Sequence, residues 1–423
     1  MVSVRALHPS LTTSPVLVHR ARSRWSLWLL PLPSFSSVII DPLSFNVLGQ
    51  NATFRQSANQ FFNPTNTTPP FFQIFHPDFL IVLGERPSIR SIASNPNFAF
   101  AHEGPVWFPD TDEVTFASDT GGLGPIAMAD INHNNQVGKI SMKEVADAIK
   151  KAGPGVAPVN VSVTKLDLPD TIQMANGGTG PFHGNLLLVG FGRGTRPSSV
   201  TLSNPNPPFN TTVLLDNFFG RQFNSLNDIK IHPTSKKLFF TDVDYGFLLR
   251  LRSAPLLPFQ VYSFDPDTGI VRVVADGLDK PNGLAFSQDG KTAFVVDSGV
   301  LGATFDQTRP STIYAFDVDP RTQAFSNKRV FAFVDTGFPD GIQLDTKGNV
   351  YAGTGEGVQV RLAVDIGSLH QVWNSEGTLI GKFFLGTVTA NMVFAGKGKL
   401  VILAGSAIYL AEIAAEAPDL SVP

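Results

Sequence analysis

Short runs of apolar and polar residues alternate along most of this chain, and the pattern is clearest in Pro281–Ser298. That segment opens on Asn282-Gly283, continues with the apolar run Leu284–Phe286, turns at Gln288–Lys291 and ends with the β-rich run Ala293–Asp297. A glycine-containing turn between two short β-rich runs is typical of a β-hairpin. The segment therefore predicts two antiparallel strands, the first of which starts with a polar residue.

The same hairpin pattern recurs. Further copies are Asn227–Asp242, Asp340–Thr354 and a weaker Asn391–Gly405. Phe98–Phe116 follows the same order, with Glu103 in the place that Asn or Asp takes later. Copies that recur about every fifty residues, with a hairpin as the unit, are typical of radial repeats. We therefore predict an all-β fold, a six-bladed β-propeller over 71–413. After a strand at 159–168, the later blades are predicted at 170–192, 212–265, 270–318, 329–364 and 369–413.

The segments outside the repeats predict smaller features. Residues 1–70 form a leader followed by an extended arm rich in Asn, Thr, Gln and Pro. Phe71–Leu83 is predicted to supply the strand that closes the ring by pairing with the last blade. Ile140–Lys151 has apolar residues at helical spacing and predicts a small helical insertion on the outside. Residues 414–423 are predicted to be a loose tail.

Composition excludes several classes of protein. The 423 residues carry a formal net charge of −3, and no basic stripe follows the leader, so we expect no nucleic-acid partner. There is no cysteine, which excludes disulfides, thiolate metal sites and a cysteine nucleophile. The oligomeric state is left open.

The leader and four sequons favour a secreted glycoprotein. Arg20, Arg22 and Arg24 precede the apolar run Trp25–Pro33, which resembles a secretory signal and is too short to span a bilayer. We therefore expect no membrane anchor. The sequons, which permit glycosylation in the secretory route, are at Asn51, Asn66, Asn160 and Asn210.

The polar residue that starts each hairpin is the candidate chemistry. An isolated Asn-Gly or Asp-Gly pair is ordinary turn chemistry. Polar residues in the same position of four repeats would instead converge on the propeller axis: Glu103, Asn227, Asn282 and Asp340. Carboxylate and amide oxygens suit Ca²⁺ rather than zinc or copper. The pattern therefore predicts a calcium site, open to other divalent cations, with room for substrate.

Several short motifs carry a family resemblance. They are His102–Trp107, Asn227-Asp228, Pro281–Leu284 with Asp297-Ser298, and Pro339–Gly341. In this order they resemble the signature set of the senescence marker protein/gluconolactonase family, over about 98–413. Diisopropyl fluorophosphatase and, more distantly, paraoxonase share the same six-bladed calcium propeller. The long arm and the helical insertion look most similar to the fungal lactonohydrolase branch.

The resemblance implies a metal-dependent enzyme that hydrolyses a small-molecule lactone to the hydroxy acid. The implied calcium ligands are Glu103, Asn227, Asn282 and Asp340. Asp228 would orient the ligand beside it, and Asp340 would also be the acid/base or nucleophile. The metal would polarise the carbonyl while a carboxylate activates water.

The histidines, and one residue that differs from the family pattern, leave alternatives open. His183, in a glycine-rich segment, is the second candidate catalytic residue. His102, which abuts a proposed ligand, is the other candidate for the base, and the alternative is that it points away on the opposite strand face. His232 is expected to be structural. Ser225 stands where some animal relatives have an arginine that contacts polyol, which puts a sugar lactone in doubt. A phosphotriesterase-like hydrolase and a non-catalytic ligand-binding propeller remain the alternative functions.

Overall fold

The computed structural model describes residues 37–120, 128–362, 377–418 and 422. The proposed signal with Arg20, Arg22, Arg24 and Trp25–Pro33 lies outside the described residues. Among the helices that the structure describes, none is long and apolar enough to cross a bilayer.

Several short elements precede the repeats. They are β1 (Ser37–Ile39), a 3₁₀ turn (Pro42–Phe45), β2 (Phe71–Ile74), α1 (Asp78–Leu83) and β3 (Ser88–Ser94). Only the first part of the predicted strand Phe71–Leu83 is a strand. Its second part is helical because Phe79, Val82 and Leu83 recur at helical spacing and are buried together.

The first two blades are four-stranded antiparallel sheets. Blade 1 contains β4 (Glu103–Phe108), β5 (Glu113–Ala117), β6 (Val137–Ser141) and β7 (Thr164–Lys165), with α2 (Met142–Ala152) between the last two. Blade 2 contains β8 (Ala175–Phe182), β9 (Asn185–Gly190), β10 (Ser199–Ser203) and β11 (Thr211–Leu215). A hairpin of β12 (Asn217–Phe218) and β13 (Arg221–Gln222) follows.

The next two blades repeat the same order. Blade 3 contains β14 (Leu226–Ile231), β15 (Leu238–Asp242), β16 (Gln260–Phe264) and β17 (Val271–Ala275), with α3 (Tyr245–Leu248) after β15. Blade 4 contains β18 (Pro281–Phe286), β19 (Thr292–Asp297), β20 (Thr312–Val318) and β21 (Phe325–Phe333).

The last two blades include strands that precede blade 1 in the chain. Blade 5 contains β22 (Ile342–Leu344), β23 (Val350–Thr354), β24 (Gly357–Leu362) and β25 (Thr378–Phe384), and β2 and β1 extend its outer edge. Blade 6 contains β26 (Asn391–Phe394), β27 (Lys399–Leu403) and β28 (Ala407–Glu412), and β3 is its outer strand.

The described strands therefore form a six-bladed β-propeller, as predicted. Each innermost strand contacts the next, and β26 contacts β4, which completes the ring. The predicted closing segment was wrong. Phe71–Ile74 pairs with β25 of blade 5, whereas Ser88–Ser94 pairs with β28 and closes blade 6. The predicted blade boundaries were displaced by about one strand, because each polar hairpin begins a blade: Thr211–Leu215, for example, ends blade 2.

Apolar layers between neighbouring sheets form the core. Representative buried residues between blades 6 and 1, 2 and 3, and 4 and 5 are Ile92, Phe116 and Leu403; Val189, Ile229 and Phe240; and Phe294, Ile313 and Val350. These side chains alternate along each strand with residues that face the opposite layer, as a sheet buried on both faces requires. The predicted helix is confirmed as α2, where the Ser141 hydroxyl accepts a hydrogen bond from the Glu144 N–H (3.3 Å) and caps the first turn.

The C-terminal segment is docked where it is described. The Thr346 N–H donates to the Glu416 carbonyl (2.7 Å), and the His183 N–H donates to the Val422 carbonyl (2.7 Å). These contacts connect blade 5 and blade 2 on the face where the innermost strands end. The loose tail predicted for 414–423 is therefore wrong for these residues.

Candidate active site

A buried polar residue stands at the start of every described innermost strand. These residues are Glu103, Asn176, Asn227, Asn282, Asp340 and Asn391. In blades 1 to 4 the pairing register shifts just after this position, as in a β-bulge. A bulge leaves residues unpaired with the neighbouring strand and turns their side chains. The ring of innermost strands therefore brings the six residues to one end of the axis.

A glycine follows most of these polar residues because neighbouring innermost strands approach closely there. A Cβ on Gly177 would lie 2.5 Å from the Asn227 carbonyl oxygen. A Cβ on Gly283 or Gly341 would likewise overlap the carbonyl of Asp340 or the side chain of Asn391. The Asn-Gly and Asp-Gly pairs thus reflect strand packing at the axis as well as turn chemistry.

Glu103 and Asp340 meet across the axis, and His102 joins them. Their potential ligand atoms all lie within 4.8 Å of one another. Burial, followed by the charge of Asp340, raises the pKa of Glu103 to about 8. Burial also raises the pKa of Asp340 to about 7. Two buried carboxylates at this separation require a proton or a cation between them.

Two asparagines contribute amides to the same end. Asn227 Oδ1 is buried and accepts no hydrogen bond from the described residues, whereas the Asn227 carbonyl accepts one from Asn176 Nδ2 (2.9 Å). Asn282 Nδ2 donates to Ser298 Oγ (3.2 Å). An amide held by its nitrogen keeps its oxygen available to another partner.

Ser298 connects the strand of Asn282 with the segment of Asp340. Its hydroxyl donates to the Pro339 carbonyl (2.6 Å) and accepts from Asn282 Nδ2. Asn391 holds Glu103 in a similar way, since its Nδ2 donates to Glu103 Oε2 (2.8 Å). These bonds fix the orientation of side chains that face the axis.

Asp228 bridges two innermost strands. Oδ1 accepts from the Ile229 N–H (2.8 Å) and Oδ2 from the Leu284 N–H (2.9 Å). Lys230 Nζ lies 3.6 Å from Oδ1. Burial raises the pKa of Asp228, and Lys230 opposes that rise. Asp228 thus ties the strand of Asn227 to the strand of Asn282, which agrees with an orienting role.

The structure moves the second catalytic candidate away from the site. His183 is exposed and lies in the turn after Phe182, at the opposite end of β8 from Asn176. The structure therefore does not bring the predicted catalytic residue His183 to the axial carboxylates, because a full strand separates them. His232 is structural as expected: its ring packs on Phe239 and Phe286, and Nε2 lies 2.9 Å from the Gly290 carbonyl.

Sequence reasoning left the direction of His102 open and missed three residues at this end. The structure places His102 beside the carboxylates. Asn176 and Asn391 begin their innermost strands, and Asn176-Gly177 and the recurrence at 391 were available signals. Tyr245 belongs to no sequence motif. It starts α3, and burial and the charge of Asp340 raise its pKa.

Comparison with known proteins identifies a family and several relatives. The model of the SMP-30/Gluconolactonase/LRE-like region family matches residues 101–406. Lactonohydrolase oryL of Aspergillus oryzae is 31% identical over 337 residues, covering 74% of this chain and 70% of the relative.

Solved structures show the same fold. A gluconolactonase from Xanthomonas campestris has a TM-score of 0.60 and 24% identity, and the match covers 80% of this chain and 94% of that one. A calcium-binding protein, regucalcin, from Agrobacterium tumefaciens has a TM-score of 0.51 and 16% identity, with 79% and 97% covered. Since the family model spans most of its length, the chain belongs to the SMP-30/gluconolactonase/LRE-like family of lactone-hydrolysing enzymes.

Proposed function

We propose that this chain hydrolyses a lactone at a calcium ion. The ion is held at the end of the propeller axis where the innermost strands begin. The proposed ligands are Glu103, Asn227, Asn282 and Asp340. One observation carries the proposal: Asn227 Oδ1 is buried without a hydrogen-bond donor at the end of the axis where two buried carboxylates meet. A buried acceptor and two buried carboxyl groups are costly unless a cation binds them.

The donor set fits calcium. Two carboxylates and two amide oxygens are hard ligands, and they leave positions for water or substrate. Regucalcin from Agrobacterium tumefaciens, a calcium-binding protein of the same fold, supports the choice of ion. When bound, the ion would polarise the lactone carbonyl as a Lewis acid.

The chain's own residues supply the proton transfer in this proposal. Asp340 accepts a proton from the attacking water, whose oxygen bonds to the carbonyl carbon. The bond from that carbon to the ring oxygen breaks, and the ring oxygen leaves as a hydroxyl after taking up a proton. The product is the hydroxy acid. His102, half-buried beside both carboxylates, is the alternative proton acceptor.

The test is pH-stat hydrolysis of a lactone panel by the full chain, with calcium or with a chelator. We expect turnover that chelation removes and that Asp340→Asn lowers by about a thousandfold or more. Asp317→Asn changes a half-exposed carboxylate on β20 that pairs with Arg329, and this matched control keeps activity. His102→Gln should retain calcium binding, so a loss of turnover there would make His102 the proton acceptor.

The opposite result is equally clear. If Asp340→Asn or chelation leaves lactone turnover unchanged, the axial residues are structural and the proposed mechanism is wrong. If no lactone opens with calcium present, a phosphotriester such as paraoxon tests the alternative hydrolase at the same site.

A further inference from the structure

Loops from three blades form a cap beside the axial site, and we define this entrance cap as 128–134, 190–196 and 245–252. Each loop follows a strand whose end pairs with the start of an innermost strand: Ala117 with Glu103, Gly190 with Ala175, and Asp242 with Leu226. The entrance cap therefore lies on the face where the proposed ligands stand.

The entrance cap is held together as one unit. Arg193 Nη1 donates to the Ile131 carbonyl (2.9 Å), and the Gly194 N–H donates to the Leu251 carbonyl (2.9 Å). Its interior is an apolar cluster of Ala129, Met174, Phe191 and Leu251. Tyr245 and Leu249 are only partly buried and pack against that cluster. The partly exposed side chains of Tyr245 and Leu249 are therefore the apolar edge of the cap.

Tyr245 marks the point where the cap reaches the axis. Its hydroxyl is buried without a well-formed hydrogen bond, although Ser298 lies beside it and the charge of Asp340 acts on it. Ser298 uses its own proton on the Pro339 carbonyl. The Tyr245 ring thus stands between the cluster and the proposed ligands.

The cap also covers Ser225, which lies two residues before Asn227. Ser225 is fully buried, and its hydroxyl accepts from the Gly246 N–H (2.9 Å) at the start of α3. A Cβ on Gly246 would lie 3.1 Å from the Ser225 Cβ, so a long polar side chain at 225 has no room. Lys280, which precedes Asn282 by two residues, is already paired with Asp244.

From this geometry we infer that the site prefers lactones with an apolar substituent over polyhydroxylated sugar lactones, with Tyr245 as a specificity-determining residue. The inference rests on the proposed lactone hydrolysis. An alkyl group gains by leaving water for the apolar edge of the cap. A polyol placed there would lose water at several hydroxyl groups, and the single Tyr245 hydroxyl would replace only part of those hydrogen bonds, which disfavours it.

The experiment compares three six-membered lactones on the calcium-loaded full chain: δ-valerolactone, δ-nonalactone and glucono-δ-lactone. We expect kcat/KM for δ-nonalactone to exceed that for glucono-δ-lactone by about tenfold or more. Tyr245→Ala should lower kcat/KM for δ-nonalactone about tenfold, mainly through KM, and change δ-valerolactone less than about threefold.

Controls separate specificity from folding. Ile270→Ala removes an exposed apolar side chain in the turn between β16 and β17 and should change none of the three rates. Tyr245→Leu keeps an apolar side chain and should keep the preference, so it serves if the alanine variant does not fold.

The other outcomes separate a failure of this inference from a failure of the proposed function. A preference for glucono-δ-lactone, or an equal loss on all three lactones in Tyr245→Ala, overturns this inference while metal-dependent lactone opening stands. A protein that opens none of the three with calcium present fails the proposed function itself, and this inference with it.

Discussion

At the scale of single residues, the axial site depends on hydrogen bonds that orient its polar side chains. Ser298 has one proton and gives it to the Pro339 carbonyl, so it must accept from Asn282 Nδ2. The oxygen of that amide then remains for the axis. Asn391 similarly fixes Glu103 by donating to Oε2. Side chains that do not touch the ion would thus set where the proposed ligands point.

Removing the Ser298 hydroxyl should weaken calcium binding. In Ser298→Ala the Asn282 amide loses its acceptor and the Pro339 carbonyl loses its donor, so we expect calcium affinity to fall by about 10- to 100-fold. Calorimetric titration of the full chain with calcium measures this. Ser326→Ala, on the exposed outer strand of blade 4, is the control. Unchanged affinity in Ser298→Ala would contradict an orienting role.

The axial carboxyl groups also predict how stability depends on pH. In the calcium-free chain, burial raises the pKa of Glu103 to about 8 and that of Asp340 to about 7. The unfolded chain loses both protons near pH 4, so between about pH 5 and 7 the folded chain binds more protons. Its free energy of unfolding should therefore fall as pH rises, by up to about 1.4 kcal/mol per pH unit for each group.

Calcium should remove most of that slope, because the ion takes the place of the protons. Urea unfolding from pH 5 to 8, with chelator and with calcium, measures both slopes. A residual slope is expected in calcium because burial raises the pKa of Asp242 to about 7. Stability of the chelated protein that rises over this interval would show that the carboxyl groups are not buried as described.

At the scale of elements, close packing of innermost strands decides where the polar residues stand. Gly177, Gly283 and Gly341 let each strand reach the backbone or side chain of the next. The register shift after the polar residue turns its side chain out of the sheet. The same element thus provides both the contact between blades and the inward-facing group.

Adding one methyl group at this contact should damage both stability and activity. In Gly283→Ala the new Cβ overlaps the Asp340 carbonyl, so the strands of blades 4 and 5 must separate. We expect a loss of about 1–3 kcal/mol in the free energy of unfolding and reduced calcium affinity. Gly302→Ala, whose Cβ would meet its nearest atom at 3.4 Å, is the control. Equal stability of the two variants would contradict the close approach.

At the scale of the whole molecule, the segments before and after the repeats pack against the ring. β3 closes blade 6, β2 and β1 extend blade 5, and the Gly337 N–H donates to the Ala58 carbonyl (2.7 Å) just before Asp340. The segments outside the repeats therefore support the same face as the proposed site and cover the opposite face.

We propose that the chain enters the secretory route and is glycosylated. All four sequon asparagines are exposed: Asn51, Asn66, Asn160 and Asn210. Expression in a secreting eukaryotic host should give a mass shift that N-glycosidase reverses, with one step lost for each Asn→Gln variant. Asn97→Gln, exposed but outside a sequon, should lose no step. Secretion without any such shift would show that the sequons are fortuitous.

The sequence by itself determined the repeat, the number of blades and the positions of Glu103, Asn227, Asn282 and Asp340, because a hairpin with a polar start leaves a local pattern at a regular period. It misplaced the closing strand and His183, and it left the direction of His102 open. Those outcomes depend on pairing between distant segments and on which end of a strand a residue occupies. Only the tertiary structure decided that Asn391 would hold Glu103, that Ser298 would join Asn282 to Pro339 and that Tyr245 would reach the axis. Each of these arrangements involves a contact between blades. The local sequence does not show which side chain of the neighbouring blade will lie opposite.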